Sequence, residues 1–344
     1  MKKNLALISL LFFSFACHAQ NGNSFLWRIS QPGSTQNSYL FGTIHLPQEK
    51  FMLLADSVYA AVSTCKQLYT EINFDNITSE LDDSDGFYQS KLNYLDSVKK
   101  TEAWSRMIHA VNRRYNTHIN PDSLEQFTNF GNQLLADYMK PDPGVTALDM
   151  ALTGYAKSLG KPCKGLETFK FQINMIYQLI DARLNDSTLL FDEDINLTKN
   201  LKRFYLSQQA DSLTQLIEGV NKNYRKIIFD ERNKTMADSI AAISVKQPVF
   251  FAVGCGHLLG ENGIVALLRD KGFTVSPVFS DNRISITLME QLFNEGYRTM
   301  KKKMKEEEEA TKELKEDIMV APPAPPKPPK TKTIAKPAAK KQSA

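Results

Sequence analysis

The sequence lacks the short motifs that mark several large enzyme classes. It contains no Gly-X-Ser-X-Gly elbow, no Gly-rich phosphate loop ending in Gly-Lys-Ser/Thr, no His-Glu-X-X-His pair and no Cys-X-X-Cys pair. Serine hydrolases of the elbow type, phosphate-loop nucleotide enzymes and zinc fingers are therefore excluded. Histidine is also scarce, with five residues in 344, so a pattern that repeats a histidine is informative.

Beyond its N-terminus the chain also lacks any apolar run long enough to span a membrane. The first twenty residues, MKKNLALISLLFFSFACHAQ, place two lysines before an apolar run from Leu5 to Ala16, which is shorter than the roughly 20 residues of a spanning helix. This layout predicts a signal peptide over residues 1–19 and export to the periplasm or cell envelope. Cleavage after Ala19 is favoured over lipidation at Cys17, because Ser14-Phe15-Ala16-Cys17 is a poor lipoprotein box.

An excess of basic charge is confined to the ends of the chain. The net charge is +4, whereas Lys2, Lys3 and six lysines near the C-terminus supply eight positive charges; the remainder is therefore net negative by four. This excludes nucleic-acid binding by the folded part. Residues 300–344 are charged and then Lys/Pro-rich without apolar periodicity, which predicts a disordered tail. Its lysines could contact an anionic envelope surface. These C-terminal lysines are Lys327, Lys330, Lys332, Lys336, Lys340 and Lys341.

Short apolar runs alternate with helical patterns across residues 20–299. Strands are predicted at 38–42, 67–74, 164–167, 248–254 and 273–278. Helices are predicted at 51–62, 122–138, 169–183, 194–206, 222–243 and 264–271. The order predicts one mixed α/β domain, with a central sheet from two outer βαβ-like halves and a helical insertion of roughly 160 residues between them.

A Gly-X-X-His motif follows an apolar strand in each outer half. The copies are Gly42-Thr43-Ile44-His45 and Gly254-Cys255-Gly256-His257. Ligands in open α/β sheets bind at the carboxyl ends of strands, glycine lets the chain approach a ligand closely, and imidazole binds metals or transfers protons. The repetition predicts that His45 and His257 share one functional site.

Glu71 is the next candidate, because it interrupts the apolar strand-like run LYTEINF. A buried acid is costly unless it is paired or bound to metal. With two imidazoles it would form a set that holds a divalent ion, and such an ion could activate water or polarise a carbonyl. The alternative is an outward-facing residue of an alternating strand.

The sequence alone does not decide the roles of three other polar residues. Glu167 ends a short strand and is either functional or a capping acid for the helix that begins near Phe169. Arg232 and Asn233 lie on a charged helix, which by itself favours a solvated face. His18 belongs to the signal peptide, and His109 and His118 have no evident partner.

Three cysteines remain after the leader is set aside. Cys65 and Cys163 each lie near the start of a short strand-like segment, so a disulfide between them and a pair of buried free thiols are both open. Cys255 lies inside the second His motif, where it would add a soft ligand if it faces the site and would be inert if it is a small buried residue.

Taken in order, five segments resemble the conserved blocks of the TraB/GumN family, which includes the Tiki metalloproteases and is related in fold to erythromycin esterases and ChaN-like proteins. The resemblance runs from about Ser24 to Val278 and excludes both ends of the chain. The segments are YLFGTIHLP, LYTEINF, KPCKGLETFKFQ, ERNKTMADSI and VFFAVGCGHLLGENGIVALLRDKGFTV.

The resemblance implies a mixed α/β fold in which His45, Glu71 and His257 hold a divalent ion. Manganese or cobalt is favoured and zinc is allowed. Glu167, Arg232 and Asn233 match further motif positions, which places Arg232 at the site in place of a solvated face. The implied activity is hydrolysis of a peptide or small carbonyl substrate, with Glu167 as general base and Arg232 stabilising the oxyanion.

Two alternatives to this activity stay open. One is a metal-free, esterase-like hydrolase in which His45 is the base. The other is a non-catalytic envelope binding protein, whose pocket holds a small ligand or metal and whose basic tail contacts anionic surfaces.

Overall fold

The structure, a computed structural model, describes residues 24–45, 55–82, 84–138, 147–185 and 191–280. Within helices, the side chains of 135–138 and 191–198 are not described. The predicted signal peptide, its two processing sites and the predicted tail lie outside these residues.

The described strands form one six-stranded mixed sheet. Its order is β4-β3-β5-β2-β1-β6. The first four strands in this order run parallel, while β1 pairs antiparallel with β2 and with β6. The strands are β1 (Leu26–Ser30), β2 (Asn37–Thr43), β3 (Gln67–Ile72), β4 (Cys163–Glu167), β5 (Val249–Gly254) and β6 (Thr274–Pro277).

Helices cover the sheet and make up most of the segment between β3 and β5, which confirms the predicted mixed α/β class. No helix among the described residues combines the length and apolarity that a membrane crossing requires. The helices are α1 (Asp56–Thr64), α2 (Ile77–Glu80), α3 (Phe87–Val98), α4 (Glu102–Tyr115), α5 (Leu124–Tyr138), α6 (Leu148–Ser158), α7 (Phe169–Asn185), α8 (Phe191–Leu206), α9 (Ala210–Glu218), α10 (Lys222–Arg225), α11 (Glu231–Ser244) and α12 (Ile264–Asp270).

Strand β5, which has the most continuous apolar sequence, lies in the centre of the sheet. Every residue of β5, VFFAVG, is buried, as expected for a parallel strand covered on both faces. Phe250, Phe251 and Val253 are fully inaccessible and belong to the main core, together with Leu40 of β2 and Leu68 of β3. The core therefore fixes the position of β5, and with it the residues that follow.

The predicted strands match the observed ones closely, with two differences. The strand predicted at 67–74 ends at Ile72, because the side chain of Asn73 accepts the N–H of Asp75 and starts the 3₁₀ turn Phe74–Asn76. The strand β1 was not predicted. Its sequence LWRIS is short, and Trp27 and Ile29 are buried while Arg28 is exposed.

The two outer halves interleave within the sheet. Strand β5 from the C-terminal half inserts between β2 and β3, and β6 pairs with β1 at the far edge. In this register Thr43 lies beside Gly254. The two Gly-X-X-His motifs therefore leave adjacent parallel strands at the same edge of the sheet.

A second, smaller core lies within the helical insertion. Trp104 of α4 is fully buried and packs edge-to-face on Phe127 of α5, with ring centroids 5.0 Å apart. Leu95 of α3 and Ile180 of α7 belong to the same cluster. The helical insertion thus has a hydrophobic core of its own, and its helices line one side of the cleft at the sheet edge.

The two cysteines considered for a disulfide, Cys65 and Cys163, are free thiols in the structure. Burial raises the pKa of Cys65 to about 12 and that of Cys163 to about 11. Both therefore stay protonated at neutral pH and react slowly. The free-thiol alternative is the one observed, with Cys65 buried and Cys163 half-buried.

Candidate metal centre

The adjacent strand ends bring three predicted residues together. His45 follows β2 by two residues, His257 ends a 3₁₀ turn directly after β5, and Glu71 lies in β3. The Nε2 atom of His45 lies 3.4 Å from Oε1 of Glu71, and Nε2 of His257 lies 3.6 Å from the same oxygen. Residues far apart in sequence thus meet because β3, β5 and β2 are neighbours.

Glycine at position 254 leaves the space between these side chains open. A Cβ atom there would lie 3.0 Å from Nε2 of His45 and 3.1 Å from Oε1 of Glu71. The backbone φ of Gly254 is −53°, a value open to any residue, so close approach is the reason for glycine here. Its N–H donates to Oε1 of Glu71 over 2.7 Å.

Glu71 is buried, at 6% exposure, so the outward-facing alternative is wrong. Its Oε2 accepts hydrogen bonds from Arg232 Nη2 at 2.7 Å and from Gln172 Nε2 at 3.0 Å. Burial alone would raise the pKa of Glu71, but the neighbouring His257, His45 and Arg232 outweigh it and hold the pKa well below its usual value. Glu71 is therefore a carboxylate at neutral pH.

Arg232 joins Glu71 to Glu167. Its Nε donates to Oε1 of Glu167 at 2.9 Å, its Nη2 donates to Glu71 and to Oε2 of Glu167 at 2.7 Å each, and its Nη1 donates to the Ile228 carbonyl at 3.1 Å. Arg232 is only 5% exposed. The solvated face that the residues alone favoured is therefore wrong. Every guanidinium nitrogen already has an acceptor, which argues for holding two carboxylates and against donating to an oxyanion.

A widened helical turn precedes Arg232. Residues Lys226–Asp230 form a π-helical segment that leads directly into α11. Such segments are rare and frequently occur at functional sites. Here the segment supplies the Ile228 carbonyl to the guanidinium, so it contributes to the orientation of Arg232.

Glu167 is not a helix cap. The first N–H groups of α7, those of Phe169 and Lys170, donate to Oε2 of Glu80 at 2.6 and 3.3 Å, and the N–H of Phe171 donates to Thr168 Oγ1 at 3.1 Å. The capping alternative for Glu167 is therefore wrong. Both its oxygens accept from Arg232, and its role as a general base stays a prediction.

Each histidine is oriented from behind by an oxygen. Asn233, buried at 2% exposure, donates through Nδ2 to the Asn262 carbonyl at 2.8 Å, so its Oδ1 is the atom that faces His257 Nδ1 at 2.5 Å. Nδ1 of His45 lies 3.3 Å from Oδ2 of Asp149. Both arrangements place a proton on Nδ1 and direct Nε2 at the gap beside Glu71, as in histidines that bind metals.

Asp149 is the site residue that sequence reasoning missed. It lies in the first turn of α6 and is buried at 3% exposure. The available signal was a single carboxylate in the otherwise small and apolar run ALDMALTGYA. A lone acid in a helix that is buried nearly all round requires a partner, and the partner is His45.

The two histidines differ in their protonation. Desolvation alone would lower the pKa of His45, whose side chain is 39% exposed, but the carboxylates of Asp149 and Glu71 raise the pKa well above its usual value. For His257, burial lowers the pKa to about 3, helped by Arg232 and His45 and opposed by Glu71. At neutral pH, His257 is therefore a neutral imidazole, while His45 carries a proton that a metal would have to displace.

The donor set fits a divalent ion. Ligands about 2.1 Å from one ion at tetrahedral angles lie about 3.4 Å apart, which is close to the 3.4 and 3.6 Å between the Nε2 atoms and Oε1 of Glu71. Within the described residues, however, no group of three or more His, Cys, Asp or Glu side chains is arranged so that it could hold a metal ion. Two imidazoles and one carboxylate match an open site and not a closed structural one.

Replacing Asp149 with asparagine is expected to weaken divalent-metal affinity by about 10- to 100-fold, the usual effect of losing a carboxylate behind a histidine ligand. Asparagine keeps the size of the side chain and removes its charge, so Nδ1 of His45 loses its charged acceptor. Calorimetric titration with manganese and cobalt measures the change. The control is Asp122→Asn, at an exposed acid; equal affinities for the two variants would contradict the assignment.

A cleft of about 1060 Å³ opens from the site into the helical insertion. His45, Glu71, Arg232 and His257 line one end of it. Thr43, from the first His motif, also lines the cleft; it is fully buried, and its Oγ1 has no hydrogen-bond partner among the described residues. The site is thus accessible from the cleft.

Cys255 behaves as a small buried residue. It is 4% exposed, and burial raises the pKa of its thiol to about 12, with a smaller contribution from Glu71. A thiol with this pKa is a poor ligand and a slow nucleophile at neutral pH. The remaining histidines of the described chain, His109 and His118, are exposed and lie away from the cleft lining.

Comparisons with known proteins place the chain in a family. A family model described as the TraB/PrgY/gumN family matches residues 25–277. Metalloprotease TIKI2 of Danio rerio is 24% identical over 324 residues, which cover 74% of this chain and 60% of that protein. A metalloprotease TIKI homolog of Amphimedon queenslandica is 23% identical over 349 residues, covering 82% of this chain and 67% of that protein. The family model spans the whole sheet and every residue of the candidate site, and the chain belongs to the TraB/PrgY/gumN family.

Proposed function

We propose that this protein is an exported, metal-dependent hydrolase that cleaves peptide bonds. The family and the metalloproteases among its relatives support a hydrolase of the protease kind. The chain spans about three fifths to two thirds of the length of these relatives.

One observation carries the proposal. The Nε2 atoms of His45 and His257 converge on the same oxygen of Glu71, and each ring is held through Nδ1 by a separate oxygen acceptor. A histidine that only packs in a core needs one satisfied hydrogen bond, and its second ring nitrogen need not face an atom that another histidine also faces. Two rings that are each held through Nδ1 and face one carboxylate through Nε2 are the arrangement that a metal ligand set requires.

A divalent ion held here by His45, His257 and Glu71 would supply Lewis-acid polarisation of a substrate carbonyl and a lowered pKa for water. Asp149 and Asn233 orient the two imidazoles. Arg232 holds the carboxylates of Glu71 and Glu167 in place. The general-base role of Glu167 is part of the proposal.

The metal-free hydrolase has one observation in its favour. The contact between His45 and Asp149 resembles the acid–imidazole pair of a general base. The raised pKa of His45 opposes this role near neutral pH, because a protonated imidazole cannot accept a proton. A rate that increases with pH and is insensitive to chelators would favour this candidate.

Export is supported by the leader-like N-terminus and not by the folded part. A periplasmic or envelope location, and contact of the basic tail with anionic surfaces, concern residues outside the described chain. No contact of the described residues favours the non-catalytic binding protein over an enzyme.

The proposal is tested with a chelator and a peptide library. Treatment with a chelator followed by gel filtration is expected to abolish cleavage, and addition of manganese, cobalt or zinc to restore it, because the ion supplies the polarisation described above. Cleavage is read by mass spectrometry of the library. Full activity after chelation would exclude the metal-dependent mechanism and leave the metal-free hydrolase.

A further inference from the structure

A second cavity, of about 590 Å³, lies between α3, α7 and the segment from α10 to the start of α11. Among the described residues, none of the candidate metal centre lines it, and Tyr177 alone lines both this cavity and the large cleft. Ten of the twelve residues that line the second cavity carry a polar group in the side chain, whereas most residues of the cleft are apolar. The two cavities therefore suit ligands of different chemistry.

One wall of the second cavity is a polar stripe on α7. Asn174, Gln178 and Asp181 follow one another at helical spacing, so they share one face of this helix. Lys91 Nζ donates to Oδ1 of Asn174 at 2.5 Å, and the Tyr94 hydroxyl donates to Oδ1 of Asp181 at 2.9 Å. These contacts fix the two groups so that Asn174 Nδ2 remains a donor and Asp181 Oδ2 an acceptor without a partner in the described part of the chain.

Two further amide groups line the second cavity, from Gln178 on α7 and Asn223 on α10. Both residues are exposed, and only the backbone N–H of Asn223 is engaged, by the side chain of Asn221. Each amide offers two donors and an acceptor. A hydroxyl group both donates and accepts, so a ligand with several hydroxyls satisfies the separate donors and acceptors of this lining.

The charges of the lining compensate one another. Lys226 lies 3.3 Å from Glu231, and Lys91 lies 5.5 Å from the centre of the Tyr177 ring. Two lysines and two acids leave no net charge. An anion such as phosphate would be repelled by Asp181 and Glu231, and a metal cation by the two lysines. The ligand that fits is therefore uncharged.

Aromatic surface and size narrow the choice further. The rings of Tyr94 and Tyr177 meet edge to face, with centroids 6.1 Å apart, and they offer apolar surface beside the amide groups. A sugar ring has this combination, since its C–H groups are apolar and its hydroxyls are polar. The volume of about 590 Å³ falls within the range of about 300–1,000 Å³ for ligand sites, which suits a short oligosaccharide.

We propose that the second cavity binds a neutral saccharide of a few sugar units. This proposal is independent of the hydrolase function, because no residue of the metal centre takes part in it. A bound saccharide would also leave the metal centre open, since within the described chain the two cavities share only Tyr177.

The test compares two double variants of the full chain. Gln178→Ala/Asn223→Ala removes the two exposed amides from the second cavity. Asn93→Ala/Asn132→Ala removes two exposed amides outside it, of which Asn132 lines the cleft. The probes are maltotriose, cellotriose and chitotriose, and binding is followed by saturation-transfer NMR of the sugar signals. Circular dichroism checks that both variants are folded.

At least one trisaccharide is expected to bind the wild type. Gln178→Ala/Asn223→Ala should weaken this binding by about ten-fold, the combined effect of losing hydrogen bonds to two amides, and Asn93→Ala/Asn132→Ala should change it by less than about two-fold. An equal loss in both variants would assign the sugar to another surface and overturn the proposal. Absence of binding by all three trisaccharides, or binding that neither variant weakens, would overturn it as well and would leave the hydrolase proposal unaffected.

Discussion

Replacing both His45 and His257 with alanine should abolish stoichiometric divalent-metal binding and lower peptide cleavage by about 10³-fold or more. Each substitution removes a nitrogen that faces Glu71 Oε1, and one carboxylate cannot hold the ion alone. Loss of several kcal/mol of transition-state stabilisation corresponds to this factor in rate. Metal binding is measured by calorimetry and cleavage by mass spectrometry of a peptide library.

The chain offers a matched control for this experiment. His109 and His118 are exposed and do not line the cleft, so His109→Ala/His118→Ala removes the same number of imidazoles without touching the site. This control should retain metal binding and cleavage at the wild-type level. If the two double variants lost binding equally, the metal centre would be misplaced.

Arg232→Ala is expected to lower the free energy of unfolding by about 3–5 kcal/mol, the range for removing one partner of a buried ion pair. The substitution leaves Glu71 and Glu167, with side chains 7% and 4% exposed, without their shared cation. Denaturant unfolding followed by circular dichroism measures the change. Arg232→Lys should recover only part of it, because an ammonium group cannot reproduce the bidentate contact with Glu167.

The free energy of unfolding is expected to depend on pH through the carboxylate of Glu71. The pKa of Glu71 is held below its usual value in the folded protein, so its pairing adds stability above the unfolded pKa and this stability is lost as the pH falls through the folded pKa. In Arg232→Ala the stability deficit should shrink at acid pH, where the orphaned carboxylate of Glu71 can protonate. The control is Lys226→Ala, which breaks an exposed pair with Glu231 and should cost less than about 1 kcal/mol. Equal losses in the two variants would contradict a buried network.

The positions of the two histidines could be predicted because local pattern and sheet geometry agree. Each His follows an apolar strand by a Gly-containing turn, and parallel strands end at one edge of a sheet. What the pattern could not supply is that β5 inserts between β2 and β3. This arrangement depends on long-range burial of Phe250 and Phe251 and has no local signature.

The residues that orient the histidines were harder to identify. Asn233 and Arg232 lie on α11 among charged residues, and composition alone favoured solvent exposure. Their burial depends on the packing of α11 against the sheet and on the π-helical segment before it. Asp149 was missed because its partner His45 is 104 positions away in the sequence, and only the folded chain brings the two together.

The most direct test of the metal centre is calorimetric titration of the metal-free full chain with manganese, cobalt and zinc at about pH 6 and pH 8. The pKa of His45 is raised and that of His257 is lowered, so binding should release a proton from His45, and affinity should increase with pH. The expected result is one ion per chain, bound more tightly at the higher pH and not bound by the His45→Ala/His257→Ala variant. Absence of binding by the wild type, or equal binding by the variant, would contradict the assignment of His45, Glu71 and His257 as a metal site.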